Sequence, residues 1–261
     1  VTKKPTDAGR PDHLLDEDPA AYGDELAGCY DSLYPADELE TAQAIDLLEA
    51  LARGRPSRSL LEFGIGTGRL AIELERRGIR VAGIDASQRM VSALRKKAPA
   101  ADIPVVVGDY VSARVPGQFS VVAIVLNNIL DPRGLPAQLA LFANAARHLE
   151  LEGYFVVEAF VLDARVRDGE WTVVPRFVGA DHVELQLMRF DNDTGIVERT
   201  LVNLRSDGPR FITVRDRYAA PEELDVMAHV NGLRRVARYA DWARRPFTAR
   251  CGRHISVYQR G

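Results

Sequence analysis

The sequence predicts a doubly wound α/β domain whose mostly parallel sheet has seven strands, with an antiparallel β insertion after the fifth. Three observations predict it. Short β-branched runs alternate with amphipathic helical segments between Ser59 and Ala159, a strand-to-helix turn carries glycine at 64, 66 and 68, and after Ala159 consecutive extended runs are joined by short polar turns. Alternation of the first kind gives a parallel sheet with helices on both faces, whereas the last pattern gives antiparallel hairpins.

Taken in order, residues 1–18 are rich in Lys, Asp, Pro and Gly without apolar periodicity, and are expected to form a mobile tail. Residues 19–56 hold two helical patterns. The first starts at Tyr22, with Leu26 and Cys29 or Tyr30 on one face; the second runs from Leu39 to Arg53, with Ala42, Ile45, Leu48 and Leu51 facing a core and Gly54 as a stop. In the unit 57–162, strands are predicted at Ser59–Phe63, Arg80–Ile84, Pro104–Val107, Ser120–Leu126 and Tyr154–Ala159. Helices fill the gaps at Gly68–Arg77, Ser87–Lys97 and Leu135–Leu149. The insertion, 163–218, reads as four strands at 171–178, 181–190, 196–205 and 209–217, with turns at Asp191–Gly195 and Ser206–Gly208. In 219–261, a helix runs from Pro221 to Gly232 and the strands Leu233–Tyr239 and His254–Gln259 complete the main sheet.

A chain of 261 residues, 46% hydrophobic and 27% charged, has the balance of an ordinary globular protein. The net charge of −3 and the lack of a basic run argue against nucleic acid as a partner. No apolar stretch is long enough to cross a bilayer, so no membrane partner and a cytoplasmic location are expected. Cys29 and Cys251 are far apart and the five histidines are scattered, so no metal site is expected.

The chemistry centres on Leu61-Glu62-Phe63-Gly64-Ile65-Gly66-Thr67-Gly68-Arg69-Leu70. Glycines here let backbone amides and a helix start approach a ligand closely. Dinucleotides and S-adenosylmethionine both use such a turn. A dinucleotide fingerprint wants a small residue where Arg69 stands, and Glu62 would set a carboxylate near a pyrophosphate. A ligand bearing an ammonium and a sulfonium is instead attracted by Glu62. Asp85, with Ala86 after it, ends the second strand and can accept from ribose hydroxyls in either ligand class. Asp109 and Tyr110 follow the third strand; a carboxylate there can accept from the adenine amine, and Met90 can pack on the ring or simply in the helix core.

The ordered motifs LEFGIGTGRLAIEL, GIDASQRMVSALRKK and VVGDY resemble the class I S-adenosylmethionine-dependent methyltransferases, in particular the branch that acts on small molecules such as natural products and sugar amines. The resemblance spans about Leu60 to Glu158. It implies a Rossmann-like fold, with Gly64, Gly66 and Gly68 around the methionine moiety, Asp85 on the ribose, Asp109 at the adenine, Leu126 and Asn127 beside the methionine portion, and S-adenosylhomocysteine as product. One departure is Leu151-Glu152-Gly153, where the family usually has Pro-Gly-Gly. Tyr22, Tyr30 and Tyr34 resemble the aromatic lid that the family places before the first strand, Tyr30 being the strongest candidate.

Methyl transfer requires mainly that a nucleophile be held in line with the methyl carbon and desolvated. Candidates for proton acceptance or acceptor orientation are Glu158, at the end of the fifth strand, and His254, at the start of the last strand, which the family implies is antiparallel. The insertion resembles that of natural-product N-methyltransferases, where it covers the acceptor or pairs subunits into a homodimer. Trp171, Phe177, Arg189, Phe190, Trp242 and Phe247 are candidates to line the acceptor site. The expected reaction is N-methylation of a small-molecule acceptor. A phenol or carboxylate O-methyltransferase, a nicotinamide-dependent oxidoreductase and a silent cofactor-binding module are the alternatives.

Overall fold

The computed structural model describes residues 18–34, 39–131, 133–163, 165–206 and 208–261. The tail expected at 1–18 lies, but for Asp18, outside the described residues. The chain forms helices α1 (Ala21–Leu26), α2 (Tyr30–Leu33) and α3 (Leu39–Arg53). There follow β1 (Ser59–Phe63), α4 (Ala71–Arg76), β2 (Arg80–Asp85), α5 (Gln88–Lys97), β3 (Val105–Val107), β4 (Phe119–Ile124), α6 (Leu135–His148) and β5 (Leu149–Phe160). Four strands make the insertion: β6 (Trp171–Val178), β7 (His182–Asp191), β8 (Ile196–Arg205) and β9 (Gly208–Arg217). The chain closes with α7 (Pro221–Val230), β10 (Leu233–Tyr239) and β11 (Arg253–Arg260).

The main sheet has the order β10-β11-β5-β4-β1-β2-β3, and β6-β7-β8-β9 is a separate antiparallel sheet. β1 to β5 are parallel, and β11 runs antiparallel to both β5 and β10. This is the doubly wound α/β sheet with an antiparallel insertion that the sequence predicts. Because both faces are covered, β1 and β4 are buried at every position. Leu60, Val81, Val121, Val156, Ile255 and Val257 pack with α3 and α4 on one face. Leu61, Phe63, Val122, Val157 and Tyr258 pack with α6 and α7 on the other. Side-chain direction alternates along a strand, so one residue's face fixes its neighbours'.

Among the boundaries that differ from the sequence reading, three lie where a backbone has left-handed φ. Gly68 has φ +79°, so α4 begins at Ala71, three residues later than expected. Leu126 and Asn127 have φ of 54° and 69°, so β4 stops at Ile124 and these two residues form a turn beyond it. β5 starts at Leu149 instead of Tyr154, with Glu152 at φ 59° and a register shift between the Phe119–Leu149 and Val121–Tyr154 pairs. A Cβ on Gly153 would lie 2.9 Å from the Glu150 carbonyl and 3.1 Å from that of Ser120, so the bulge closes only around glycine. Among the described residues no helix is long and apolar enough to cross a membrane.

Candidate active site

The turn after β1 is fixed by backbone bonds to β2: the Gly64 and Ile65 amides donate to the Ile84 carbonyl at 2.8 and 3.1 Å. The Gly66 amide donates to Asp85 Oδ2 at 2.7 Å, and Asp85 Oδ1 accepts from the Ser87 amide at 2.9 Å. Gly64 and Gly66 have φ of +72° and +56°, and a Cβ on Gly64 would stand 2.7 Å from Asn128 Nδ2. Both line a cavity of about 1280 Å³ that opens at the carboxyl ends of the parallel strands. Gly68 does not. It lets α4 meet α5, since a Cβ there would lie 3.0 Å from Leu94.

Of the other expected site residues, Tyr30, Arg69, Asp85, Ala86, Met90, Tyr110, Leu126, Asn127 and Glu158 line the same cavity. Asp85 is almost buried, and that burial raises its pKa against the pull of its two amide donors. Glu62 is not on the cavity wall either: it lies beneath the turn, 3% exposed, with Oε2 buried and unpartnered. Burial pushes its carboxyl up to about 8, helped by the Asp85 charge and opposed by Arg69. Arg69 itself donates to Thr41 Oγ1 at 2.8 Å, bringing the start of α3 onto the turn.

Helices α1 and α2 cover the turn. Asp31 accepts from Thr67 Oγ1 at 2.5 Å and from Lys97 Nζ at 2.8 Å, and Asp24 accepts from Ser87 Oγ at 2.5 Å. Tyr22, Tyr30 and Tyr34 all line the cavity, and the Tyr30 and Tyr34 rings are 5.0 Å apart. Burial raises the pKa of both Tyr22 and Tyr30, so neither phenol is a base near neutrality.

Other expectations are corrected. Asp109 is not on the cavity wall: it accepts from Arg133 Nη1 at 2.6 Å and from the Val111 amide at 2.9 Å. Burial alone would raise its pKa, but these donors hold it below the usual value. Arg133 and Asp131 line the cavity in its place, residues that the sequence reading passed over because they lie in the loop after β4. Glu158 is on the wall, yet its carboxylate is engaged: Oε2 accepts from the Leu126 amide at 2.9 Å and Oε1 from Trp242 Nε1 at 3.2 Å, with Arg253 at 3.7 Å. Asn127 Oδ1 accepts from the Phe160 amide at 2.8 Å. Glu158 and Asn127 thus pin the left-handed turn at the end of β4 to β5, and both Glu158 oxygens already accept from protein donors.

His254 is not brought to the cavity. It shares a face of β11 with Tyr258, towards α7, where it is fully buried with Nδ1 2.9 Å from Ser256 Oγ. Burial, with the Arg238 charge, lowers its pKa to about 3, so it stays neutral. Arg253, one residue earlier, points to the other face, lines the cavity and bonds Glu40 at 2.8 Å. In the insertion, Trp171, Phe177, Arg189 and Phe190 do not line the cavity, and neither does Phe247 after it; Trp242 does. Arg189 pairs with Glu198 and stacks on Trp171, 5.1 Å from its ring centre. The insertion's contribution comes instead from other residues of all four strands, among them Val174, Gln186, Met188, Arg199, Leu201 and Asp216.

A family model described as a methyltransferase domain matches residues 60–153. The CcbJ methyltransferase from Streptomyces caelestis is 32% identical and superposes with a TM-score of 0.81, covering 94% of this chain and 99% of that one. The chain belongs to the class I S-adenosylmethionine-dependent methyltransferases. It is also 24% identical over 247 residues to the cypemycin N-terminal methyltransferase of a Streptomyces species, with 93% of this chain and 99% of the relative covered. Its fold is that of CalS10, an amino pentose methyltransferase from Micromonospora echinaspora, at 19% identity, a TM-score of 0.67 and coverages of 89% and 96%.

The residues present suit this methyltransferase's cofactor. A cationic ligand complements the buried Glu62 oxygen and Asp85, and the space in front of Gly66 is open, the Tyr30 ring being 4.0 Å from where a Cβ would stand. When bound, the cofactor supplies an activated methyl group on a sulfonium.

Proposed function

We propose that this methyltransferase transfers the methyl group to an amine nitrogen of a small secondary metabolite. The observation that carries the reading is the continuity of the cavity, which runs from the glycine turn past Leu126 and Phe160 onto one face of the insertion sheet. Gly64 and Gly66 would hold the methionine end, with the Glu62 charge beneath the turn, Asp85 the ribose and Met90 with Tyr110 the adenine. Leu126 and Asn127 would flank the reacting carbon, with Tyr30 closing over it. The insertion face would hold the acceptor. Support for nitrogen comes from the relative described as the cypemycin N-terminal methyltransferase and, among structures of the same fold, from those described as a sugar and a glycopeptide N-methyltransferase.

The side chains favour the same nucleophile. A neutral amine brings its own lone pair, so the protein needs to orient and desolvate it more than to deprotonate it. Glu158 and His254, the two candidate bases, are respectively engaged by donors and turned away from the cavity. The test is to incubate the protein with methyl-labelled S-adenosylmethionine and metabolite extracts, and to locate the label in the products by mass spectrometry and NMR. Gain of one or two methyls on nitrogen is expected. Labelled products methylated on oxygen alone would overturn the reading.

A further inference from the structure

The insertion face of the cavity carries Arg176, Glu184, Arg199, Arg205, Arg215 and Asp216 besides its apolar side chains, and of these Arg199 and Asp216 form a mostly buried ion pair. In the β7–β8–β9 register, Arg199 lies between Met188 and Val214, beside the row of Gln186, Leu201 and Ile212. Its side chain is only 18% exposed, and a guanidinium cannot shed its proton to ease burial. Asp216, more buried still, accepts from Arg199 Nε at 2.6 Å. The guanidinium carbon sits 5.0 Å from the centre of the Phe160 ring, which is itself stacked on Tyr218. Phe160 is the residue whose amide Asn127 holds, and the Arg199 charge bears on the Tyr22 phenol of the lid. Arg199 thus reaches from the insertion to the junction with the cofactor end.

Fixed through Nε and by a ring face, the guanidinium keeps its terminal nitrogens for something else. Among the described residues no group accepts from Nη1 or Nη2, although both belong to a residue of the cavity wall. A buried ion pair is a poor device for stability alone, since apolar side chains of the same volume serve as well. A pre-oriented pair of N–H donors is a good device for binding oxygen.

We propose that Arg199 orients the acceptor by taking one of its carbonyl or carboxylate oxygens between Nη1 and Nη2. The acceptor is then an amine carrying such an oxygen near the nucleophilic nitrogen, and Asp216 is a positioning residue that acts through Arg199. The inference rests on the amine reading above and on the insertion face being the acceptor end. An amine without that oxygen would bring its own positive charge towards the guanidinium without a group to accept from its terminal nitrogens.

The full chain saturated with S-adenosylhomocysteine is titrated with sodium benzoate, benzamide and benzylamine by ligand-observed NMR. Benzoate and benzamide should bind at least about tenfold more tightly than benzylamine. Arg199→Met should abolish that preference, Arg199→Lys should restore part of the benzoate binding, and cofactor-product affinity should stay within about twofold in both, which also reports that they fold. Asp216→Ala should weaken benzoate without changing S-adenosylhomocysteine binding. Overturning results are a preference that survives Arg199→Met, no preference in the parent protein, no binding of any probe at tens of millimolar, or a parallel loss of S-adenosylhomocysteine affinity. The position of the transferred methyl tests the amine reading separately: an O-methylated product alongside Arg199-dependent benzoate binding would sink that reading and leave the oxygen site standing.

Discussion

The buried carboxyl of Glu62 makes cofactor binding and stability depend on pH in a definite direction. Burial, with the Asp85 charge, raises its pKa from 4.5 to about 8, the Arg69 charge only partly opposing this. The folded protein therefore binds this proton more tightly than the unfolded chain, and its contribution to stability is full below pH 4.5 and is lost as pH rises towards 8. At about 1.4 kcal/mol per unit, the loss across that window is on the order of 4–5 kcal/mol before the structure relaxes. A bound ammonium or sulfonium favours the ionised form, so binding below pH 8 should expel a proton. Affinity should then tighten by up to about tenfold per pH unit and level off above about pH 8. Calorimetry of S-adenosylhomocysteine binding in phosphate and in Tris measures the proton directly: close to one released near pH 6.5, and little above pH 8.5. Glu62→Gln should abolish the release and flatten the melting temperature between pH 6 and 9. Equal binding enthalpies in the two buffers near pH 6.5, or an unchanged profile in Glu62→Gln, would refute the reasoning.

Asp85→Asn keeps an acceptor for a backbone amide but removes the charge, and should weaken S-adenosylhomocysteine binding by roughly one to two orders of magnitude in a folded protein. Asp85→Ala should in addition lower the melting temperature, because the Gly66 and Ser87 amides lose their acceptor. Glu158→Gln should retain more than about a tenth of kcat with the same pH–rate profile, whereas loss of a general base would cost about 10²–10⁴-fold. Glu158→Ala should destabilise the fold by about 2–4 kcal/mol by orphaning the Leu126 and Trp242 donors. Trp171→Ala and Arg189→Ala should leave the acceptor KM within about twofold, since both side chains are off the cavity wall; a large rise in KM would move the acceptor to the outer face of the insertion.

What was legible in the sequence was what local chemistry dictates. Glycines at 64, 66 and 68 adopt the positive φ that their spacing suggests, Asp85 closes the second strand at the same edge, and the change of pattern after Ala159 marks the second sheet. Illegible were contacts set by distant partners. Asp109 matched a family position, but Arg133, 24 residues on, turns its carboxylate into an ion pair. Glu158 was recognised as a strand-end carboxylate, while the donors that engage it come from the β4 turn and from a loop 84 residues later.

Face choice is the sharper case. A strand presents alternate residues to opposite sides, so choosing His254 over Arg253, or Arg189 over Arg199, amounts to choosing a side. For β11 the choice was recoverable by parity. Arg253 is in step with Ile255 and Val257, which pack with α3 and α4 on the same face as Val156 and Glu158 of β5, whereas His254 is in step with Tyr258 over α7. For the insertion it was not, because Met188 and Leu201 on one side and Leu187 and Val202 on the other are equally apolar, and only docking against the main sheet decides which side meets the cavity. The paired charge distinguishes the two arginines: Arg189 is opposite Glu198 on a neighbouring strand at the surface, while Arg199 needs Asp216 because it is enclosed. An arginine whose partner is itself buried is therefore the better guide to the acceptor face than any aromatic count.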